Sequence, residues 1–303
     1  MSGESSIEWT DVTWNPVTGC NRVSPGCLRA NCYALDLAAR LKGMGQKRYQ
    51  RDGDPKTSGP GFGLTLHPDK LEEPLRWRKP RMVFVNSMSD LFHPEIPESY
   101  IAEVFGVMAA ADRHIFQVLT KRPERMRHIL ISEDFWETVN ALCLAHGEVC
   151  AATRRTLYLP NVWLGVSIEN RRFVHRADLL RETPAAVRFI SAEPLLGPLV
   201  RPIDQWAPGG LTDGAWPDGY LGEGLDLYNI DWLIVGGESG PEHRPIDPQW
   251  VRDLRDEAAR RFVPTCSFFF KQWGGRTPKA GGRELDGRTW DEFPPIPVEE
   301  VGR

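Results

Sequence analysis

The chain has 303 residues, 41% of them hydrophobic, which allows one large domain or two small ones and supplies a large core. Its formal net charge is −4 with a pI near 6.0, so no global field draws it to nucleic acid and only local basic patches could serve that role. No apolar run is long enough for a transmembrane helix, and Met1 to Ser6 lacks the basic-then-apolar order of a secretory signal; the expected location is the cytoplasm, where thiols stay reduced.

Residues 9–14 alternate, carry Val12, Thr13 and Trp14, and predict a short first strand. Cys20, Cys27 and Cys32 follow directly, half of the six cysteines within thirteen residues, spaced Cys-x6-Cys-x4-Cys. Disulfide pairing would leave one of them over, whereas iron or zinc uses all three. No fourth Cys or His follows at ligand spacing, and structural zinc sites usually close with four protein ligands. An iron–sulfur cluster with one open iron fits this pattern best; zinc and ordinary buried thiols are the alternatives. Cys32 opens an amphipathic run that predicts a helix over 31–42 ending at Gly43. The helix N-terminus, with Arg22 and Arg29 nearby, favours thiolate over thiol. Residues 45–66, rich in Gly, Lys and Arg, read as a mobile loop.

Strands are then predicted at 82–86, 115–119, 162–166, 187–190, 230–235 and 267–270, and helices at 97–111, 123–145, 171–181 and 248–262. Strands alternate with helices, and most strands are apolar on both faces, which means a parallel sheet with helical crossovers. Six to seven such units predict an α/β fold, a partial or complete parallel (β/α) barrel, with an open doubly wound sheet as the alternative. No Gly-x-Gly-x-x-Gly follows a strand, so a dinucleotide fold lacks support. Residues 1–273 form a single barrel-like domain in this reading. It carries a Gly/Pro-rich insertion at 201–229, read as a lid or a passive excursion, and residues 274–303 are a Gly/Pro-rich C-terminal tail.

The run from Glu8 to Pro16 with Cys20, Cys27, Cys32, Tyr33 and Ala34 resembles a phage- and prophage-associated family of three-Cys-motif proteins whose function is unassigned. Asn86 to Phe92, Leu119 to Pro123, Gly236 to Gly240 and Phe270 to Gly274 fit the same pattern, so the resemblance spans nearly the whole chain. More distantly, three cysteines after a first strand resemble the radical S-adenosylmethionine enzymes, whose usual spacing, Cys-x3-Cys-x2-Cys, is tighter than here. That resemblance implies a [4Fe–4S] cluster on Cys20, Cys27 and Cys32, S-adenosyl-L-methionine as second cofactor, an electron donor as partner, and a radical-SAM-like barrel.

Three strands end in a small residue, one spacer and Glu: Ser167 and Glu169, Ser191 and Glu193, Gly236 and Glu238. Period-two geometry puts each pair on one face, and the C-terminal rim of a barrel carries the chemistry. With Asn170 and Ser239, these groups suit the ribose hydroxyls and amino group of S-adenosylmethionine; neutralisation of nearby Lys and Arg is the plainer reading. Ser87, Ser89 and Asp90 leave the second strand and suit the methionine moiety. Lys121 and Arg122, and Lys271 with Gln272, are placed to hold a carboxylate or phosphate. Cys143, His146 and Cys150 share one helical face as a weak second metal candidate, and Cys266 reads as core.

The leading expectation is therefore a radical enzyme. Nucleic acid is the favoured substrate, DNA or RNA. Basic residues cluster locally at Lys47, Arg48 and Arg51, at Arg76, Arg78, Lys79 and Arg81, at Lys121, Arg122, Arg125 and Arg127, and at Arg154 and Arg155, and loop Trp and Tyr could stack on bases. Spore photoproduct lyase, a radical enzyme acting on DNA, is a fold-level analogy for such a substrate. A metal-stapled protein that binds nucleic acid or a partner protein, and a [4Fe–4S] hydro-lyase, are the other classes. No membrane role is expected.

Overall fold

A computed structural model describes residues 5, 7–27, 32–148, 156–200, 224–260, 266–277 and 279–295. In chain order the strands are β1 (Val12–Trp14), β2 (Val17–Thr18), β3 (Thr65–Leu66), β4 (Met82–Val85), β5 (Ile115–Thr120), β6 (Val162–Ser167), β7 (Val187–Ala192), β8 (Trp232–Gly236) and β9 (Ser267–Gln272). The helices are α1 (Tyr33–Gly43), α2 (Glu98–Ala110), α3 (Pro123–Leu130), α4 (Glu133–Ala145), α5 (His175–Arg181) and α6 (Pro248–Ala259). Seven strands pair in parallel in the order β1-β4-β5-β6-β7-β8-β9, while β2 and β3 form a small antiparallel ribbon. The order follows the chain without reversal, so the doubly wound alternative falls.

The sheet is strongly curved. In that order β8 lies five strands from β1, about 24 Å away if the sheet were flat at ~4.8 Å per strand. Yet the ring of Trp9, just before β1, has its centroid 6.1 Å from that of Trp232 on β8. The fold is a partial parallel (β/α) barrel with β1 and β9 as its two edges. Alternation along each strand sorts side chains to two sides. Val83, Val85, Val118, Leu164, Val166, Ile190, Leu233, Val235 and Phe270 join the large outer core with the helices. Trp9, Phe84, Trp163, Val187, Phe189, Trp232, Ile234 and Phe269 fill the inside of the curve as a separate apolar floor. Among the described residues, no helix is long and apolar enough to cross a membrane.

Inside the curve Gly165 is opposite Phe189, and a Cβ at Gly165 would lie 2.4 Å from the Phe189 ring. Gly165→Ala is expected to lower stability by about 1–3 kcal/mol through overpacking. A denaturation midpoint equal to that of the parent would show that the ring has room to retreat.

Three segments differ from expectation. The helix predicted over 123–145 is two helices, because the Ser132 hydroxyl accepts from the Phe135 amide at 3.4 Å and starts a new one. Residues 45–66 are not a loop standing off the body. Phe62 is buried with Ala34, Leu35, Ala38 and Met88, and Ser58 Oγ is 2.7 Å from the Cys20 carbonyl oxygen and 2.6 Å from Asn21 Oδ1. The expected tail packs back on the barrel: Asp291 bridges Phe269 antiparallel to β9, Leu285 is buried, and Phe293 stacks on Trp232 at 5.1 Å, covering the floor from below. Most of the insertion at 201–229 lies outside the described residues.

Candidate active site

The C-terminal ends of the strands open into one cavity of about 770 Å³, in the size range of ligand sites. Parallel pairing puts all these ends on one side, and β1 delivers the cysteine loop to the same rim. Cys20, Cys27 and Cys32 all line the cavity as half-buried free thiols. Beside Cys32 lies the apolar cluster of Ala34, Leu35, Phe62 and Met88.

Two adjacent cations leave β5 and go to two different sulfurs. Lys121 Nζ lies 3.6 Å from Cys27 Sγ and pairs with Glu169. Arg122 Nη1 lies 3.4 Å from Cys20 Sγ and 2.8 Å from Asp90 Oδ2, while its Nη2 donates to the Asn21 carbonyl at 3.2 Å. Burial pushes the Cys20 thiol up to about 12 against the pull of Arg122. Burial also raises Cys32. At Cys27 burial acts the same way, but Lys121 and hydrogen bonds from the loop outweigh it and the thiol ends below its ordinary value.

Of the residues expected at the rim, Ser87, Ser89, Asp90, Lys121, Ser167, Ser191, Glu193 and Glu238 line this cavity; Glu169 and Asn170 do not. Glu169 lies past the end of β6, where strand alternation no longer sets direction. Fully buried, it accepts from Ser24 Oγ and Lys121 Nζ, and from Arg176 Nη1 at 3.2 Å. Burial raises its pKa, yet Lys121, Ser24 and Arg176 together hold it below the usual carboxylate range. Glu169 thus faces two cations in this buried group, with the Cys27 sulfur 3.6 Å from Lys121 Nζ. Asn170 accepts from the Arg172 amide at 3.0 Å and caps a turn.

Several rim groups are engaged within the protein. Asp90 accepts from Thr120 Oγ1 at 2.7 Å, the Phe92 amide at 3.0 Å, the Lys121 amide at 3.1 Å and Arg122. Ser87 donates to Asn15 Oδ1 at 3.2 Å and Ser89 to the Val17 carbonyl at 2.9 Å. Glu238 is gripped by Arg244, whose Nη2 continues 3.1 Å to the Pro25 carbonyl and ties the cysteine loop to the segment after β8. Glu193 accepts from Ser191 Oγ at 3.2 Å and pairs with Lys271 of β9 at 3.0 Å. That pair reaches across β8 because Gly236 has no side chain; a Cβ there would lie 2.5 Å from Glu193 Oε1.

Sequence reasoning missed Ser24, Arg176 and Arg244, which meet the cysteine loop from distant parts of the chain and left no local signal. It put Asn86 at the rim without giving it a role; Asn86 lines the cavity at φ 60° with both side-chain polar atoms buried and unpartnered in the protein. Cys143 is buried in the core, Cys266 likewise, and Cys150 lies outside the described residues.

Among the described residues, no three His, Cys, Asp or Glu side chains are gathered at metal-binding distance. The donor chemistry nonetheless fits a thiolate-bound metal group: three free cysteines line one roomy cavity, two of them beside cations. Binding by all three would draw the sulfurs closer together.

No curated protein matches the chain. Among solved structures it is similar to spore photoproduct lyase complexed with dinucleoside spore photoproduct, at 13% identity and a TM-score of 0.38, over 87% of this chain and 64% of that one. A cysteine-to-alanine mutant of that enzyme with the same dinucleoside gives 12% identity and a TM-score of 0.40, over 88% and 65%. The chain thus spans less than two thirds of those structures' length. A family profile matches residues 4–294, nearly the whole sequence, and the chain belongs to that family, described as Protein of unknown function (DUF5131).

Proposed function

We propose that this protein is an iron–sulfur enzyme of the radical S-adenosylmethionine type. The observation that carries the reading is the meeting of three reduced cysteines with a ligand-sized cavity at the C-terminal mouth of a partial parallel barrel. Cys20, Cys27 and Cys32 would hold a [4Fe–4S] cluster. When bound there, the cluster and S-adenosylmethionine would supply a 5′-deoxyadenosyl radical.

The chain's own contribution is placement and enclosure. The floor of Trp9, Phe84, Trp163 and Trp232 excludes water from below. Ser167, Ser191 and the Glu193–Lys271 pair offer hydroxyls and balanced charge in the same cavity as the cysteines. Glu169 and Asp90 hold Lys121 and Arg122 in position.

Nucleic acid is the substrate this reading favours, on narrower grounds than the sequence offered. Lys47, Arg48 and Arg51 are exposed beside Tyr49, which lines the cavity, and Arg22 is exposed at its rim. The run from Arg76 to Arg81 precedes β4 and so lies at the opposite end of the barrel. Arg125 is bound to the His93 and Ile96 carbonyls, Arg127 pairs with Glu182, and Arg154 and Arg155 lie outside the described residues. Trp14, Trp136, Trp163 and Trp232 are core residues, which leaves Trp9, Tyr33 and Tyr49 as the indole and phenol rings on the cavity wall. A base would have to leave its stack to enter.

The test is anaerobic reconstitution with iron and sulfide, then dithionite and S-adenosylmethionine. A brown protein that releases 5′-deoxyadenosine is expected; an intact cluster with neither 5′-deoxyadenosine nor methionine produced removes the reading. Binding of single-stranded DNA or RNA that weakens steeply with salt is expected of the loaded protein, and salt-insensitive or absent binding moves the substrate to a small molecule.

A further inference from the structure

Resting on that reading, we infer that Lys121 and Arg122 form a two-cation clamp that positions the cysteine ligands and sets the redox level of the bound cluster. The two residues are neighbours in sequence, yet their heads separate: Lys121 Nζ goes to Cys27 at 3.6 Å and Arg122 Nη1 to Cys20 at 3.4 Å. Each is aimed by its own buried carboxylate, Glu169 for Lys121 and Asp90 for Arg122. Neither carboxylate has freedom to turn elsewhere. Asp90 is fixed by Thr120 and two backbone amides as well as Arg122, and Glu169 by Ser24 and Arg176 as well as Lys121. Both cations also touch the loop itself, Lys121 at Ser24 Oγ (3.4 Å) and Arg122 at the Asn21 carbonyl (3.2 Å). Cys32 has neither cation on its sulfur. It sits at the N-terminus of α1 against apolar side chains. The three ligands are therefore unequal: Cys20 and Cys27 have a cation at the sulfur and Cys32 has none, while Cys20 and Cys32 both pack against the apolar cluster.

Outer-shell groups of this kind orient ligands and change metal affinity by about 10–100-fold. They also move cluster potentials, through local charge and hydrogen bonds to sulfur. The sign follows from electrostatics. Reduction adds negative charge, a nearby cation favours the reduced form, and loss of the cation makes the potential more negative.

The experiment compares the parent with Lys121→Met and Arg122→Met, which keep bulk and remove charge, and with Lys121→Arg and Arg122→Lys, which keep charge. Two readouts are taken: cobalt(II) affinity, followed through thiolate-to-metal charge-transfer absorption, and the midpoint potential of the reconstituted cluster. The methionine variants should bind cobalt about 10–100-fold more weakly and show more negative potentials, and the charge-keeping variants should recover most of both. The denaturation midpoint of each variant reports whether any loss comes from misfolding. Parent-like affinity and potential in folded methionine variants would overturn the clamp. Failure of the parent to form an iron–sulfur cluster would overturn the functional reading, with the cobalt comparison still deciding the clamp. A parent that binds neither metal sinks both.

Discussion

Iron content falls to background when Cys20, Cys27 or Cys32 is replaced by alanine, one at a time, and the protein is reconstituted anaerobically. This is the largest effect expected of any single change. All three thiols line one cavity, and a site built on three ligands with an open position has none to spare. The controls are Cys143→Ala and Cys266→Ala, whose sulfurs lie in the outer core at 0% and 3% exposure, away from the cavity lining. Both should retain parental iron. Iron lost from a control as completely as from the triad would mean that the ligands are misassigned.

The second large effect is on stability. Glu169→Ala strands two cations, Arg176 and Lys121, whose side chains are 4% and 19% exposed, around a site where the carboxylate is 0% exposed. Breaking a buried pair in this way costs about 3–5 kcal/mol. A fall in denaturation midpoint equivalent to under ~1 kcal/mol would show that the cations find other partners. The pH dependence has a definite sign. Glu169 is held below the usual carboxylate range by Lys121, Ser24 and Arg176 against the opposing effect of burial. Its contribution is therefore fully present above the ordinary carboxylate pKa and is lost as pH falls through the depressed native value. Glu169→Gln should be less stable at neutral pH and should show a shallower acid slope than the parent.

The barrel was legible in the sequence because its signals are local. Met82 to Val85, Val162 to Val166 and Trp232 to Val235 are apolar on both faces, which only a sheet covered on both sides explains. What failed was direction beyond the strand ends. Ser191 with Glu193 and Ser167 with Glu169 read alike, yet Glu193 lines the cavity and Glu169 lies behind the cysteine loop. The difference is made by Arg176 and Lys121, which no local pattern connects to Glu169. The basic run Arg76 to Arg81 misled for a related reason: composition shows charge, but only strand polarity shows that it sits at the far end from the site. The buried tryptophans Trp9, Trp14, Trp136, Trp163 and Trp232 lie in segments read as strands or a helix and form the floor and core of the barrel.

The sequential strand order also sets a timetable. Each βα unit adds beside the one made before it, so the sheet can grow outward from its first strand as the chain emerges from the ribosome. The cysteine loop is among the first segments made, yet its restraints arrive late. Arg122 comes 102 residues after Cys20, and Arg244 comes 219 residues after Pro25. Until Lys121 and Arg122 have been made the thiols stand without their cations, and until Arg244 has been made the loop lacks its tie to the segment after β8. Metal delivered after release meets a formed site, whereas metal captured during translation meets a loose loop. If the three thiols hold a cluster as proposed, its loading belongs after Arg244 has been made and can tie the loop down.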